Sequence, residues 1–148
     1  MNLIDNLEWR YATKRMNGEK VSQDKIDTIL EAIRLTPTSL GMQAFKTFVI
    51  KDQQLKEKIY AESCHQTQVK TCSHLLVFAA NKTLTPEMVD KHIGYIASER
   101  GLPVESLAPY KDKFAGLMSQ PVDKQTEWTA KQTYIALGFA MVAAAEEK

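Results

Sequence analysis

Cysteine is almost missing from this chain, and glycine and proline are sparse. Its 148 residues include 2 Cys, 6 Gly and 5 Pro. The spacing of Cys64 and Cys72 fits no zinc or thioredoxin-type pattern, and no second Cys/His pair completes one. They read as reduced thiols, which makes a cytoplasmic location the expectation. No charge dominates either: 19 Lys and Arg stand against 18 Asp and Glu, a net charge of +1. That gives no case for a general nucleic-acid or polyanion surface, so any anion site must be a local cluster. The N-terminus lacks an apolar signal core, because Asp5, Glu8 and Arg10 interrupt it. The longest apolar run, Tyr134 to Ala145, falls well short of the roughly 20 residues a membrane helix needs. It reads as a buried helix.

The chain also lacks the motifs of self-sufficient catalysis. It has no Gly-x-Gly-x-x-Gly, no Walker loop, no metal-ligand helix and no Ser-His-Asp order with supporting context. No metal and no catalytic residue is therefore assigned. If the chain is an enzyme, the reactive atom belongs to a cofactor.

What is present suits one globular domain over residues 1–148, with 44% hydrophobic and 25% charged residues. Residues 2–10 suggest a short helix with Leu3, Ile4 and Leu7 on one face. Ser22 stands as an N-cap with Asp24 in the first turn. Ile26, Ile29, Leu30 and Ile33 then follow helical spacing until Pro37 closes the helix. Phe45–Ile50 is a strand candidate, and Asp52 caps a helix over 53–62. His74–Ala80 is apolar on both faces, as expected of a central strand. Thr85-Pro86-Glu87 starts a helix carrying Val89, Ile93 and Ile96, which Gly101 ends. A further helix covers 103–118, with Leu107, Phe114 and Leu117. Pro121 breaks it, and a long helix follows over about 124–147. Two strands are too few for an independent sheet. The expectation is that the chain lacks a C-terminal portion or borrows strands from a partner.

Four segments carry chemistry. Arg10, Thr13, Lys14 and Arg15 offer donors to an anion, Arg as a planar fork and Lys as a point charge; a solvated charged turn is the plain alternative. Thr36–Gln43 offers the hydroxyls of Thr38 and Ser39, close backbone approach at Gly41, and the two-sided amide of Gln43. An ordinary helix-to-strand loop would use the same residues. His65, in Cys64-His65-Gln66-Thr67-Gln68, is an acid–base group or a surface histidine. Gln132 lies one turn from Trp128, on the same helix face.

Read jointly, Arg10-Tyr11-Ala12-Thr13-Lys14, Pro37-Thr38-Ser39-Leu40-Gly41-Met42-Gln43, His65-Gln66-Thr67-Gln68 and Glu127-Trp128-Thr129-Ala130-Lys131-Gln132 resemble the FMN-dependent nitroreductase family. The resemblance is nearest to oxygen-insensitive NAD(P)H nitroreductases and dihydropteridine-reductase-like enzymes. It implies an α+β fold: a central, mainly antiparallel sheet wrapped by helices, in an intertwined homodimer. It implies FMN as cofactor and NADH or NADPH as co-substrate. Hydride would pass in ping-pong fashion through flavin N5 to a nitroaromatic, quinone or related small acceptor, with no nucleic-acid or membrane partner. Arg10 would meet the FMN phosphate, with Tyr11 and Ala12 beside it, and Lys14 the flavin N1/O2 edge. Pro37, Thr38, Ser39, Gly41 and Gln43 would line the flavin of the other subunit. His65, Gln68 and Gln132 would complete the contacts, and Phe114 would help shape the substrate pocket. Ala12 stands where the family has Ser, Gly41 where Asn is common, and His65 where Asn is usual. The family pattern continues beyond Lys148, so the sequence is expected to be C-terminally truncated. A non-catalytic flavin- or ligand-binding or dimerisation domain is the alternative.

Overall fold

The computed structural model describes residues 2–148. The described residues form α1 (Leu3–Trp9), α2 (Gln23–Arg34), β1 (Phe45–Ile50), α3 (Gln53–Ile59), α4 (Thr67–Thr71), β2 (Leu75–Ala80), α5 (Pro86–Arg100), α6 (Ala108–Met118) and α7 (Val122–Glu147). The class is α+β, as the family resemblance implies. The two strands pair with each other. Asn81 N–H, just after β2, donates to Ala44 C=O, just before β1, at 3.0 Å. The end of one strand thus meets the start of the other, and the pair is antiparallel. Among the described residues β2 has only this one strand neighbour. Residues Leu75–Ala79 are accordingly half-buried, without the full burial of a strand flanked on both sides.

The chain divides into two compact units, and β1, β2 and α7 each run from one into the other. The first unit contains the residues up to Thr36, Thr47–Ala79 and Ile135–Lys148. Here α1 is set by its cap. The Asn2 side chain accepts from Ile4 N–H (2.9 Å) and Asp5 N–H (3.1 Å), while the Asp5 carboxylate accepts Asn2 N–H. This capping box satisfies donors that a seven-residue helix would leave open. The expected apolar face is not what α1 buries: Leu3 and Ile4 are exposed and Asn6 is the buried residue. Ser22 occupies the N-cap of α2 with extended backbone but makes no side-chain capping bond; Asp24 supplies the favourable charge. Ile26, Ile29 and Ile33 are buried, each worth about 1.5–3 kcal/mol relative to exposure.

Asp52 caps α3 through Leu55 N–H (2.7 Å). The predicted continuation to residue 62 gives way at Ile59 to a wide π turn, Tyr60–Cys64, which ends at left-handed His65 (φ 50°). The short α4, on a polar stretch without periodicity, has no counterpart in the sequence reading. Lys56 is buried, and its Nζ donates to Cys72 C=O at 2.6 Å. In α7 the long apolar run is only half inside. Ala136, Ala140 and Ala145 are buried, whereas Tyr134, Ile135, Phe139, Met141 and Val142 are exposed in the single chain. The expected buried helix is thus buried on one face within the single chain: small Ala136, Ala140 and Ala145 face in, and large residues face out.

The second unit contains Pro37–Lys46 and Ala80–Tyr134. Thr85 caps α5 with Pro86 at its first position, and Gly101 (φ 61°) ends it. Ala44, Leu84, Val89, Ile93 and Phe114 form the core, with Met42, Met88, Tyr110 and Trp128 packed around them. Gln125 crosses this core with its amide satisfied. It accepts from Leu84 N–H (3.2 Å) and donates to Met118 C=O (2.9 Å) and Gln120 C=O (2.8 Å).

Candidate functional site

In the first unit, Arg10 leaves α1 in extended conformation (φ −69°, ψ 144°) and the chain runs without regular structure to Ser22. Thr13 N–H donates to Tyr11 C=O (3.1 Å), and the Thr13 hydroxyl donates to Arg15 C=O (2.9 Å). These local bonds fold the segment back on itself. Arg10, Tyr11, Ala12, Lys14 and Arg15 are exposed. Ion pairs among the described residues include Arg34–Glu31, Lys111–Asp90, Lys124–Glu127 and Lys131–Glu127. None involves Arg10, Lys14 or Arg15, so their charge is not neutralised by a carboxylate of the described chain. This donor set suits a phosphate dianion.

His65 is exposed, with its ring Nδ1 2.7 Å from Tyr60 C=O and its own N–H on the same carbonyl at 3.0 Å. The ring caps the π turn. Gln68 donates to Gln66 Oε1 at 2.8 Å. Lys70 lies over the Tyr60 ring, with Nζ 3.9 Å from its centroid, a cation–π contact. The same unit holds a cavity of about 560 Å3 lined by α2, Cys72–His74 and the end of α7. Burial first, then the charges of Lys51, Lys20 and Lys56, holds the His74 imidazole below its ordinary range. Burial pushes the Cys72 thiol up against the opposing influence of Lys56.

In the second unit, Pro37–Gln43 forms a tight loop. Ser39–Gly41 makes a 3₁₀ turn in which Leu40 is left-handed (φ 55°, ψ 17°), followed by Gly41 (φ 58°) and Gln43 (φ 45°). A Cβ at Gly41 would sit 3.8 Å from His92 Cε1, an ordinary contact, so backbone angle rather than space favours glycine there. Asn, which the resembled family commonly has here, is the other residue type tolerant of that conformation. The loop is pinned from several sides. Gln132 Oε1 accepts Ser39 N–H at 2.8 Å, and its Nε2 donates to Trp128 C=O at 3.1 Å. Gln43 N–H donates to the Thr38 hydroxyl at 3.1 Å. Leu40 C=O accepts from His92 Nε2 (2.9 Å) and from the Tyr110 hydroxyl (2.5 Å). Pro37 is exposed and Thr38 half-buried.

Thus Thr38, Ser39, Gly41, Gln43 and Gln132 come together in one unit, and Arg10–Arg15, His65 and Gln68 belong to the other. Phe114 has 0% exposure. Its ring stands T-shaped to those of His92 and Tyr110, each centroid 5.8 Å away. His92 and Tyr110 escaped the sequence reading. The available signal was positional: His92 adjoins Ile93 on the apolar stripe of α5, and Tyr110 is one turn before Phe114. Among the described residues no group of three or more His, Cys, Asp or Glu is arranged for a metal, and no helix is long and apolar enough to cross a membrane.

The model of the nitroreductase family matches residues 7–148. A Staphylococcus aureus protein named "putative NAD(P)H nitroreductase" is 34% identical over 149 residues, covering 97% of this chain and 67% of its own. A Staphylococcus epidermidis structure, described as a "putative NAD(P)H:FMN oxidoreductase", superposes with TM-score 0.82 at 16% identity, over 95% of this chain and 67% of that one. An Exiguobacterium sibiricum "putative nitroreductase in complex with FMN" gives TM-score 0.78 at 20% identity, over 98% and 70%. The chain belongs to the nitroreductase family.

Proposed function

We propose that this chain is an FMN-dependent NAD(P)H oxidoreductase. The observation that carries the reading is the exposed, carboxylate-free cation segment Arg10–Arg15, beside membership of a family with an FMN-containing structural neighbour. Arg10 would hold the phosphate and Lys14 the N1/O2 edge of the flavin, where a cation favours the charge of the reduced ring. Tyr11 and Ala12 would flank the phosphate, Ala12 without the hydroxyl a serine would add. His65 and Gln68 would add polar contacts. Pro37, Thr38, Ser39, Gly41 and Gln43 would present a rigid polar loop to the flavin of the other subunit, and Gln132 would act by fixing Ser39. Phe114 would set the substrate pocket through His92 and Tyr110.

FMN, when bound, supplies two-electron chemistry between NAD(P)H and a nitroaromatic, quinone or related acceptor. The chain's own part is to bind and orient. The family model spanning 7–148 supports treating both units as one FMN-binding domain. The exposed apolar face of α7, with Tyr134, Phe139 and Met141 outward, supports a homodimer that covers it. Two free thiols fit a cytoplasmic location.

The test is the visible spectrum of the purified chain before and after added FMN, followed by NAD(P)H oxidation with a nitroaromatic and with a quinone. Flavin absorbance that survives gel filtration and acceptor-dependent turnover are expected. A colourless protein after FMN addition refutes the proposal. One observation favours a second reading, a non-catalytic flavin-binding domain: the Gln132 amide is already engaged by Ser39 and Trp128. Bound FMN with no NAD(P)H oxidation would select it.

A further inference from the structure

The Pro37–Gln43 loop is held in an unfavourable backbone conformation by groups far away in sequence. Leu40 and Gln43 are non-glycine residues at φ 55° and 45°. Left-handed backbone brings Cβ against the following carbonyl oxygen, and it persists only where the surroundings over-determine it. Here one carbonyl gathers two of the constraints. Leu40 C=O receives His92 Nε2 from α5, 52 residues on, and the Tyr110 hydroxyl from α6, 70 residues on. Both of its lone pairs are thereby used. A carbonyl can only accept, so the His92 ring carries its proton on Nε2.

The two donors are themselves fixed. The Phe114 ring stands T-shaped to the His92 ring at 80° and to the Tyr110 ring at 86°. Each aromatic donor is therefore locked by a ring with no exposed surface. The imidazole also stands directly behind Gly41. On the other side Gln132 takes Ser39 N–H. The loop is clamped before and at its left-handed turn.

We infer that His92 and Tyr110 are positioning residues that clamp the Leu40 carbonyl and so hold the Ser39–Gln43 backbone in the geometry a bound cofactor meets. The functional half rests on the flavin reading above; the clamp does not. Neither residue needs to touch the cofactor or a substrate. Both act through Leu40, and they make the loop one mechanical body with α5 and α6.

Tyr110→Phe tests this with little risk to folding, because it keeps the ring and its edge contact and removes only the hydroxyl. His92→Phe, alone and combined, removes the second donor, and Tyr95→Phe removes an exposed hydroxyl of α5 as control. The first readout is amide hydrogen exchange without FMN. Ser39, Gly41, Met42 and Gln43 N–H are each bonded within the clamped loop or to Gln132. Tyr110→Phe should speed their exchange about five- to tenfold, the worth of one hydrogen bond, and the double variant more. Exchange at Ile93 and Ala97 should stay at the wild-type rate. The second readout is the FMN dissociation constant from flavin fluorescence, which should rise in both clamp variants and not in Tyr95→Phe. Loop exchange unchanged in Tyr110→Phe overturns the clamp, and so does exchange that rises equally along α5. A loosened loop with unaltered FMN affinity overturns its role toward the cofactor. A wild-type chain that binds no FMN refutes the flavin reading alone, and exchange then decides the clamp.

Discussion

Replacing Gln132 with leucine separates loop order from global stability. Gln132 is 5% exposed on α7, with Oε1 on Ser39 N–H and Nε2 on Trp128 C=O. Leucine fills a similar space and is an equal or better helix former. The Trp128 carbonyl keeps its ordinary helix bond from the backbone N–H of residue 132, so nothing is orphaned there. Ser39 N–H loses its acceptor. That costs about 1–3 kcal/mol for a dry amide, and Ser39 is exposed, so water holds the cost near the lower end. Against it stands apolar burial without amide desolvation. Much of the glutamine stem is already buried, so the gain is about 1 kcal/mol rather than a full leucine's worth. The two nearly cancel. Urea denaturation should show an unchanged slope and a stability within about 1 kcal/mol of wild type. The Ser39 amide should nevertheless exchange faster and FMN should bind more weakly. A stability loss above about 2 kcal/mol would mean that the amide matters to the whole fold, which refutes the reasoning. So would a Ser39 amide as protected as in wild type.

Phe114→Ala should cost about 3–5 kcal/mol by denaturant titration, because it empties a fully buried site and strips two edge contacts. A thiol reagent near neutral pH should label exposed Cys64 before Cys72, whose thiol is pushed up by burial and donates to Val69 C=O at 3.2 Å; equal rates, read by peptide mass, would contradict this. The His74 imidazole is held low by burial and three lysines, so the folded chain binds fewer protons than the unfolded one. Its contribution is present above the unfolded value of about 6.5 and lost as pH falls toward the folded value; the urea midpoint should drop over that window, and less in His74→Gln.

The parts of the fold legible in the sequence are those that local chemistry decides. Asp52 before α3, Thr85-Pro86 before α5 and Gly101 after it each satisfy or release backbone groups within one turn, and each stands where it was read. β1 runs over Phe45–Ile50 as expected. The π turn at Tyr60–Cys64 was not legible, because the wide turn and left-handed His65 replace helix inside a stretch with unbroken helical character. The α7 run misled for a different reason. Counting apolar residues does not resolve faces, and this run alternates small inward alanines with large outward Tyr134, Phe139, Met141 and Val142.

The candidate site divides along the same line. Arg10, Lys14 and His65 were legible as candidates because charged and imidazole side chains announce their own chemistry, and all three are exposed. His92 and Tyr110 were not, because what they recognise is a backbone carbonyl, and Leu40 O has no signature in a sequence. Gly41 was the one local trace of it. A glycine beside hydroxyl residues announces a left-handed turn but not what holds it. A turn that places non-glycine Leu40 and Gln43 in the same strained region demands donors from elsewhere, and those must be rigid to be worth anything. Aromatic donors backed by a buried ring meet that demand. The polar residues adjoining the apolar stripes of α5 and α6 are therefore as informative about the loop as the loop's own residues.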